Sequence, residues 1–250
     1  MSCLGSRVRA FGRAAAFVLV AVAAAVIIVF RRGDVAARAR WLQWTCGRVV
    51  RVLGLTITEL GEPSAGEIIV ANHVSYLDIV VLAALRPVVF VAKREVRDWP
   101  FLGWFARWAG TRFIDRERRG DVARAVTEFA AAVASGVSIV IFLEGTSSDG
   151  REVRPFKSSL LAPAVAAQWS VVPAAISYSL PTGHDVATEV CWWGDMTLAP
   201  HLLHLFTLPP IHACVAWGAA VPALADRKAL AVTLHRHVSR LNGVVVAAAG

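Results

Sequence analysis

After residue 60 the chain alternates short apolar runs with longer stretches that carry apolar residues at helical spacing. Several of the short runs are continuously aliphatic, as in strands that are covered on both faces of a sheet. The predicted strands cover 67–72, 88–93, 111–115, 138–144, 171–176, 187–193 and 211–217, and the predicted helices cover 78–86, 101–109, 119–135, 158–168 and 223–241. This alternation predicts an α/β domain with a mostly parallel central sheet flanked by helices, which binds ligands beyond the carboxyl ends of its strands.

A different pattern occupies the start of the chain. Residues 14–30 are uncharged, and arginines flank them on both sides. Their number lies at the lower limit for a membrane-spanning helix, and the following RRGD offers no small-residue site for signal cleavage. We therefore expect a retained membrane helix that spans the bilayer or dips into one leaflet. An amphipathic helix with Trp41 and Trp44 follows, which lies at the membrane interface or packs on the core.

These patterns divide the chain into an N-terminal membrane anchor with its interfacial helix, residues 1–58, and an α/β domain, residues 59–250. The formal net charge is +8 and the mean hydropathy is +0.56. A basic and unusually apolar protein without a Lys/Arg block favours an anionic membrane surface over nucleic acid as its partner. The four cysteines lack CxxC spacing, which indicates reduced thiols in a protein that faces the cytosol.

The most suggestive polar cluster is NHVSYLD, which follows the first predicted strand of the domain and contains His73 and Asp78. A carboxylate bonded to one imidazole nitrogen fixes the tautomer and raises the basicity of the other nitrogen, so the pair could take a proton from a hydroxyl. Alternatively, Asn72, Ser75 and Asp78 only shape the turn and cap the next helix. The residues of this stretch leave both interpretations open.

Three more clusters follow later strands. GTRFIDR contains Arg112 and Arg116, whose guanidinium groups suit phosphate. FLEGTSSDG contains Glu144, a glycine that lets backbone N–H groups approach a ligand, and small hydroxyl residues; RPFKSSLL then places Lys157 at the start of a predicted helix. In VVPAAI, Pro173 lacks a backbone N–H, which predicts a sheet edge or bulge lining an apolar channel.

Together these clusters resemble the four ordered blocks of the glycerolipid acyltransferase family, whose bacterial members include 1-acylglycerol-3-phosphate acyltransferases. The blocks are NHVSYLD, GTRFIDR, FLEGTSS and VVPAAI, and the resemblance covers roughly residues 65 to 220. The third block of the family usually reads F-P-E-G-T-R, but Leu143 and Ser147 stand here in place of its proline and arginine. The longer string EGTSSDGREVRPFKSSLL, with WWGDMTLAPHLLHLF, is more similar to a branch that includes lyso-ornithine lipid acyltransferases.

The resemblance implies a membrane-bound O-acyltransferase in which His73 is the general base and Asp78 orients it. A lysolipid hydroxyl would attack the thioester of acyl-CoA or acyl carrier protein, which serve as co-substrates, and no other cofactor is expected. The implied acceptor is 1-acyl-sn-glycerol-3-phosphate, giving phosphatidic acid, with a lyso-ornithine lipid as the alternative. The resemblance also implies the bacterial inner membrane, with the catalytic domain in the cytoplasm. Its implied substrate-binding residues are Lys93, Arg112, Arg116, Glu144, Gly145 and Thr146, with Glu144 ordering the cations and backbone N–H groups near Gly145 stabilising the oxyanion.

Other classes of function stay open at this point. A serine hydrolase could use Ser75, Ser147 or Ser158, although the G-x-S-x-G elbow is missing. A non-catalytic, membrane-associated lipid-binding protein would tolerate the changes at 143 and 147. A metal site could be imagined at His201 and His204, but these are better interpreted as core or interfacial histidines, and no metal is expected.

Overall fold

A computed structural model describes residues 3–30, 33–63, 66–98, 102–114 and 120–249. Its strands are β1 (Leu55–Leu60), β2 (Ile68–Ala71), β3 (Val88–Lys93), β4 (Arg112–Ile114), β5 (Ser138–Phe142), β6 (Val171–Ser179) and β7 (Ile211–Trp217). They form one sheet in the order β1-β7-β6-β2-β5-β3-β4, and every neighbouring pair is parallel except β6 and β7. The predicted, mostly parallel sheet is confirmed.

Helices cover both faces of this sheet. They are α1 (Cys3–Phe30), α2 (Val35–Leu53), α3 (Leu77–Leu85), α4 (Leu102–Trp108), α5 (Gly120–Ala134), α6 (Ala162–Ala166), α7 (Val186–Glu189), α8 (Leu198–Thr207) and α9 (Arg227–Ala249). One apolar cluster joins Ile69 of β2 to α1, α2, α3 and α8, and a second joins Ile68 and Val70 to α5, α6 and α9. Because successive residues of β2 point into opposite clusters, both faces of the strand must be apolar.

The pattern-based prediction is wrong at one predicted strand and incomplete at two other elements. Residues 187–193 form no strand: Asp185 caps the short helix α7 by accepting a hydrogen bond from the backbone N–H of Ala187, at 3.1 Å. The β-branched and aromatic residues of this stretch suggest a strand, but the local cap and the burial of Val190 and Cys191 decide otherwise. Strand β1 and helix α8 were not among the predicted elements.

Of the two alternatives predicted for Pro173, the sheet edge is wrong, because β6 lies between β7 and β2. The pairing is irregular here, as at a bulge, because Val171 bridges Val221, one residue out of register with the pair Ala174 and Trp217. The carbonyl of Pro173 accepts a hydrogen bond from Gly218 N at 2.8 Å, beyond the end of β7. Pairing of β6 with β7 begins only at Ala174, opposite Trp217. The missing N–H of the proline therefore falls just outside the antiparallel ladder, where no donor is needed.

Helix α1 lies against the domain. The guanidinium of Arg9 donates to the carbonyl of Thr207 at 2.9 Å, that of Arg13 donates to Leu208 at 2.7 Å, and both carbonyls are at the C-terminal end of α8. Farther along, the indole of Trp41 in α2 donates to the carbonyl of Ala24 at 3.0 Å. By length and composition, residues Arg7–Phe30 form a candidate membrane span.

The other face of α1 is exposed and apolar. It includes Val18, Leu19, Val22, Val26 and Val29, each of which is more than half exposed. The predicted division at residue 58 stays a prediction; in the structure, β1 crosses this position and pairs with β7 in the sheet.

Candidate active site

The turn between β2 and α3 is fixed by Asn72. Its side-chain amide donates to the carbonyl of Ile176 at 2.9 Å, and its side-chain oxygen accepts from the N–H of Ile176 at 2.8 Å. Asn72 is buried, and these two bonds tie the chain to β6 at the point where β2 ends. The next residue, His73, therefore leaves the sheet in a defined direction, at the carboxyl ends of β2 and β5.

His73 and Asp78 are paired. Asp78 lies in the first turn of α3 and is completely buried, and its Oδ2 is 2.8 Å from His73 Nδ1. The same oxygen accepts hydrogen bonds from the backbone N–H groups of Val74, at 2.7 Å, and Ser75, at 3.0 Å. One carboxylate thus shapes the turn and also binds the imidazole. The predicted helix cap is wrong, because the N-cap of α3 is Tyr76 and makes no side-chain hydrogen bond, and the function of the pair as a base stays a prediction.

The chemistry of the pair follows from the tautomer that it selects. A carboxylate only accepts hydrogen bonds, so His73 Nδ1 carries the proton and the lone pair of the neutral ring is on Nε2. Within the described part of the chain, Nε2 has no hydrogen-bond partner, and the side chain is 18% exposed. Phe142 stacks on the ring at 4.1 Å between centroids and 13° between planes. A basic nitrogen is thus held in a fixed orientation at the protein surface.

Glu144, two residues after the end of β5, supports this turn. Its Oε1 accepts from the backbone N–H of His73 at 2.9 Å, and its Oε2 accepts from that of Arg154 at 3.2 Å. Burial raises the pKa of Glu144 to about 7, against the lowering effect of these two hydrogen bonds. Its predicted role of ordering Arg112 is wrong, because the guanidinium Nε of Arg112 instead lies 3.5 Å from Glu128 on α5.

The raised pKa of Glu144 predicts a pH dependence of stability. Between pH 4.5 and about 7 the folded protein keeps a proton that the unfolded chain releases, so the free energy of unfolding falls as the pH rises. The expected loss across this window is about 3 kcal/mol. In denaturant titrations, the free energy of unfolding of the wild type should fall by this amount relative to that of Glu144→Gln, whose amide does not titrate, as the pH rises from 4.5 to about 7. A difference that is independent of pH would show that Glu144 ionises normally.

The loop after Glu144 places a cation beside the site. Gly145 has φ +78°, and a Cβ at this position would lie 3.0 Å from Lys157 Nζ. The backbone N–H of Lys157 also donates to the carbonyl of Leu143 at 2.8 Å. Thr146 is exposed. The ammonium group of Lys157 thus lies over the Glu144-Gly145 turn. The sequence pattern had predicted only that Lys157 stands at the start of a helix.

Ser147 faces away from this surface. It is 5% exposed, and its hydroxyl donates to the carbonyl of Trp192. Trp192 in turn donates its backbone N–H to Val74 O at 2.9 Å, and Ser148 donates its own to His73 O at 3.0 Å. The position where the family usually has an arginine is therefore part of a buried joint between the loop after β5, the turn after β2 and residues 191–192.

Two more of the predicted substrate-binding residues, Lys93 and Arg112, lie along the same edge of the sheet. Val91 of β3 pairs with Ile141 of β5 on one side and with Arg112 of β4 on the other, which sets Arg112 near the carboxyl ends of these strands. Lys93 is the last residue of β3. Arg116 lies outside the described residues.

The hydrogen bonds of Ser75, Ser147 and His201 bear on the serine hydrolase and metal-site alternatives. The hydroxyl of Ser147 is donated to a backbone carbonyl, and the buried hydroxyl of Ser75 has no partner within the described residues. Neither serine is therefore bonded to His73 Nε2, as a triad would need. His201 is buried, with Nδ1 2.9 Å from the hydroxyl of Tyr76 and Nε2 3.1 Å from the carbonyl of Cys191. Its interpretation as a core histidine is consistent with these bonds.

Sequence reasoning missed one residue at this site. The hydroxyl of Tyr178, in β6, donates to Asp78 Oδ1 at 2.8 Å, and both side chains are buried. No local motif marks this tyrosine, because the contact joins residues 100 positions apart.

Comparison with known proteins gives a consistent result. Residues 53–177 match the family model described as Acyltransferase. A lyso-ornithine lipid O-acyltransferase from Brucella abortus is 39% identical over 208 residues, which cover 77% of this chain and 78% of the relative. A protein of the same name from Rhizobium meliloti is 36% identical over 82% of this chain and 73% of its own length.

A second activity occurs among the relatives. A 1-acyl-sn-glycerol-3-phosphate acyltransferase from Neisseria gonorrhoeae is 36% identical over 54% of this chain and 58% of its own. The crystal structure of the 1-acyl-sn-glycerophosphate acyltransferase PlsC from Thermotoga maritima superposes with a TM-score of 0.67, covering 97% of this chain and 98% of that chain at 20% identity. This superposition shows a shared fold.

Proposed function

This chain belongs to the acyltransferase family, and from that premise we propose that it transfers a fatty acyl chain from a thioester donor to the free hydroxyl of a lysolipid. The observation that carries the proposal is the His73–Asp78 pair, in which Nδ1 is held by a buried carboxylate and Nε2 is left as a base. The donor would be acyl-CoA or an acyl carrier protein, and no other cofactor enters the reaction.

In the proposed reaction, His73 Nε2 removes the proton of the acceptor hydroxyl while its oxygen attacks the thioester carbonyl. The tetrahedral intermediate then collapses, the C–S bond breaks, and the thiolate receives the proton from the imidazolium. Asp78 stabilises the positive charge that His73 carries between these steps. Backbone N–H groups near Gly145 would bind the oxyanion. A thioester is already activated, so the reaction needs no acyl-enzyme.

For the acceptor we favour a lyso-ornithine lipid over 1-acyl-sn-glycerol-3-phosphate. The supporting observation is Ser147, which stands where the family usually has arginine and gives its hydroxyl to Trp192 inside the protein. The site thereby lacks one of the expected phosphate contacts. The relatives from Brucella and Rhizobium, which match this chain over most of their length, are both named lyso-ornithine lipid O-acyltransferases. Because the relative from Neisseria is named a 1-acyl-sn-glycerol-3-phosphate acyltransferase, 1-acyl-sn-glycerol-3-phosphate is the second candidate for the acceptor.

Parallel assays with the two acceptors test this choice. Purified protein in detergent would receive palmitoyl-CoA or palmitoyl carrier protein together with either lysolipid, and the diacyl product would be quantified. We expect kcat/KM to be higher with the lyso-ornithine lipid. A clear preference for 1-acyl-sn-glycerol-3-phosphate would make this lipid the acceptor in place of the lyso-ornithine lipid. Arg112 and Arg116 would then be the residues proposed to bind its phosphate.

Lys157 is proposed to bind the carboxylate of the ornithine head group, because its ammonium lies over the Glu144-Gly145 turn. A charge-assisted hydrogen bond of this kind is worth about tenfold in affinity. Replacement of Lys157 by methionine should therefore raise the KM for the acceptor about tenfold and change kcat less. Lys228→Met on α9 removes the same charge elsewhere and serves as the control. Equal KM values for the two variants would exclude this role for Lys157.

We further propose that α1 holds the enzyme on a membrane, the bacterial inner membrane with the catalytic domain on the cytoplasmic side. The helix is bound to the domain at Arg9, Arg13 and Ala24, so only its outer face, with Val18, Val22 and similar residues, is free to meet lipid. This arrangement favours insertion into one leaflet over a separate crossing of the bilayer.

Charges on the outer face of α1 test this proposal. The double substitution Val22→Glu and Val26→Glu should move the protein from the vesicle pellet to the supernatant in a sedimentation assay with anionic vesicles, because each buried charge opposes insertion. Val232→Glu, at an equally exposed valine of α9, should leave binding unchanged. Retained binding of the double variant would show that another surface attaches the protein.

A further inference from the structure

We propose that Tyr178 is a positioning residue of the His73–Asp78 pair: its phenol holds the second carboxylate oxygen and sets the pH at which His73 becomes a base. This inference rests on the proposed role of His73 as the base. It adds a third member to the pair, from a strand on the opposite side of the turn.

The contact is short and buried. Tyr178 lies near the end of β6 and is 6% exposed, Asp78 is fully buried, and the phenol oxygen is 2.8 Å from Oδ1. Burial, followed by the charge of Asp78, raises the pKa of the Tyr178 phenol well above its ordinary value. The phenol therefore keeps its proton over the whole working range of pH and can act only as a donor to the carboxylate.

The two oxygens of Asp78 have unequal partners. Oδ2 accepts three hydrogen bonds, from His73 Nδ1 and from two backbone N–H groups, whereas Tyr178 is the partner of Oδ1 within the described residues. In that part of the chain, the ion-pair partner of Asp78 is His73 alone. Among the described residues, the tyrosine is therefore the one side-chain hydroxyl that stabilises the charge of this buried carboxylate.

Among the described residues, the neighbouring titratable groups do not replace the hydrogen bond that Tyr178 donates to Asp78. In this part of the chain, the titratable groups other than His73 that interact electrostatically with Asp78, Tyr178 or Cys191 are Tyr76, Glu144, Asp149 and Asp185. Burial raises the pKa of Cys191 to about 12 and that of Tyr76 above its usual value, so both stay neutral. Glu144 bonds backbone N–H groups of the turn and the following loop, not Asp78.

The expected consequence has a definite sign. Without the phenol, the carboxylate of Asp78 accepts three hydrogen bonds instead of four, so its negative charge is less well stabilised. The His73–Asp78 pair therefore binds the proton of the imidazolium more tightly. His73 then stays protonated, and inactive as a base, to higher pH. In Tyr178→Phe we expect the acidic limb of the kcat/KM profile to move up by about one pH unit, which lowers the rate below that limb about tenfold. KM should change little, because the phenol is buried and directed at Asp78.

The direct test is the titration of the His73 imidazole by NMR, in detergent, with labelled histidine. Its signal is assigned by its disappearance in His73→Ala. We expect the midpoint to rise in Tyr178→Phe and to stay in place in Ser177→Ala, a matched control in the same strand whose hydroxyl has no partner within the described residues. A midpoint in Tyr178→Phe that is unchanged or lower would overturn the inference.

A second variant separates hydrogen bonding from packing. The chain contains two tyrosines, so 3-fluorotyrosine incorporated into Tyr76→Phe labels position 178 alone. The fluorinated phenol is a stronger donor, and the His73 midpoint should move below that of unlabelled Tyr76→Phe, opposite to the effect of Tyr178→Phe. Shifts in the same direction would mean that both changes act through packing and would contradict the inference. These titrations need no turnover, so an enzyme inactive on every lysolipid would defeat the proposed function and leave this result standing.

Discussion

Replacement of His73 by alanine is expected to lower kcat by about three orders of magnitude, without unfolding the protein. The base at Nε2 is lost, and general base catalysis of this kind typically contributes 10²–10⁴-fold. The imidazole is partly exposed and stacks on Phe142, so its removal costs little core packing. The measurement is the initial rate of diacyl product formation, with the thermal unfolding midpoint recorded on the same sample.

His237→Ala is the matched control for this variant. His237 lies on α9, which packs in the apolar cluster on the opposite face of the sheet from α3. Its replacement should leave the rate within about twofold, because it removes a histidine without touching the pair. A His73→Ala enzyme that retains a tenth or more of the wild-type rate would exclude His73 as the essential base.

Asp78→Asn is expected to reduce kcat by about 10²–10⁴-fold as well, for a different reason. Asparagine keeps the shape of the side chain but removes the charge that stabilises the imidazolium during the reaction. The carboxylate of Asp78 accepts four hydrogen bonds, three at Oδ2 and one at Oδ1. The side-chain amide of asparagine would place its own N–H donors against some of these donors. Initial rates and the pH dependence of kcat would be compared with those of the wild type.

Asp34→Asn gives the corresponding control. Asp34 caps α2 by accepting a hydrogen bond from Ala37 N at 2.8 Å, and asparagine caps a helix equally well. This variant should be as active and as stable as the wild type. Should Asp78→Asn also keep its rate within about threefold, the proposed orientation of His73 by a carboxylate would be wrong.

The parts of the site that the sequence predicts are those that lie close together along the chain. His73 and Asp78 are five residues apart and belong to one strand–turn–helix unit, so their meeting follows from local geometry. Glu144 was predicted as a residue of the site by the resemblance of FLEGTSS to a family block, although its hydrogen bonds go to backbone N–H groups and not to the cations expected. Such hydrogen bonds depend on the three-dimensional path of the loop.

Contacts across the sheet were beyond sequence reasoning. The bonds from Tyr178 to Asp78 and from Ser147 to Trp192 join positions 100 and 45 residues apart, and nothing in the local composition marks them. The central strands were predictable because burial on both faces makes them continuously aliphatic. The edge strand β1 is only partly buried and carries a weaker signal.

A single time course tests both the proposed reaction and the role of His73. Purified wild type and His73→Ala would each be incubated with palmitoyl thioester and radiolabelled lyso-ornithine lipid, and the diacyl product would be followed over time. We expect steady product formation by the wild type and almost none by a folded His73→Ala. Equal product formation by both proteins would contradict the role of His73. A folded wild type that acylates neither this acceptor nor any other lysolipid would contradict the proposed function itself.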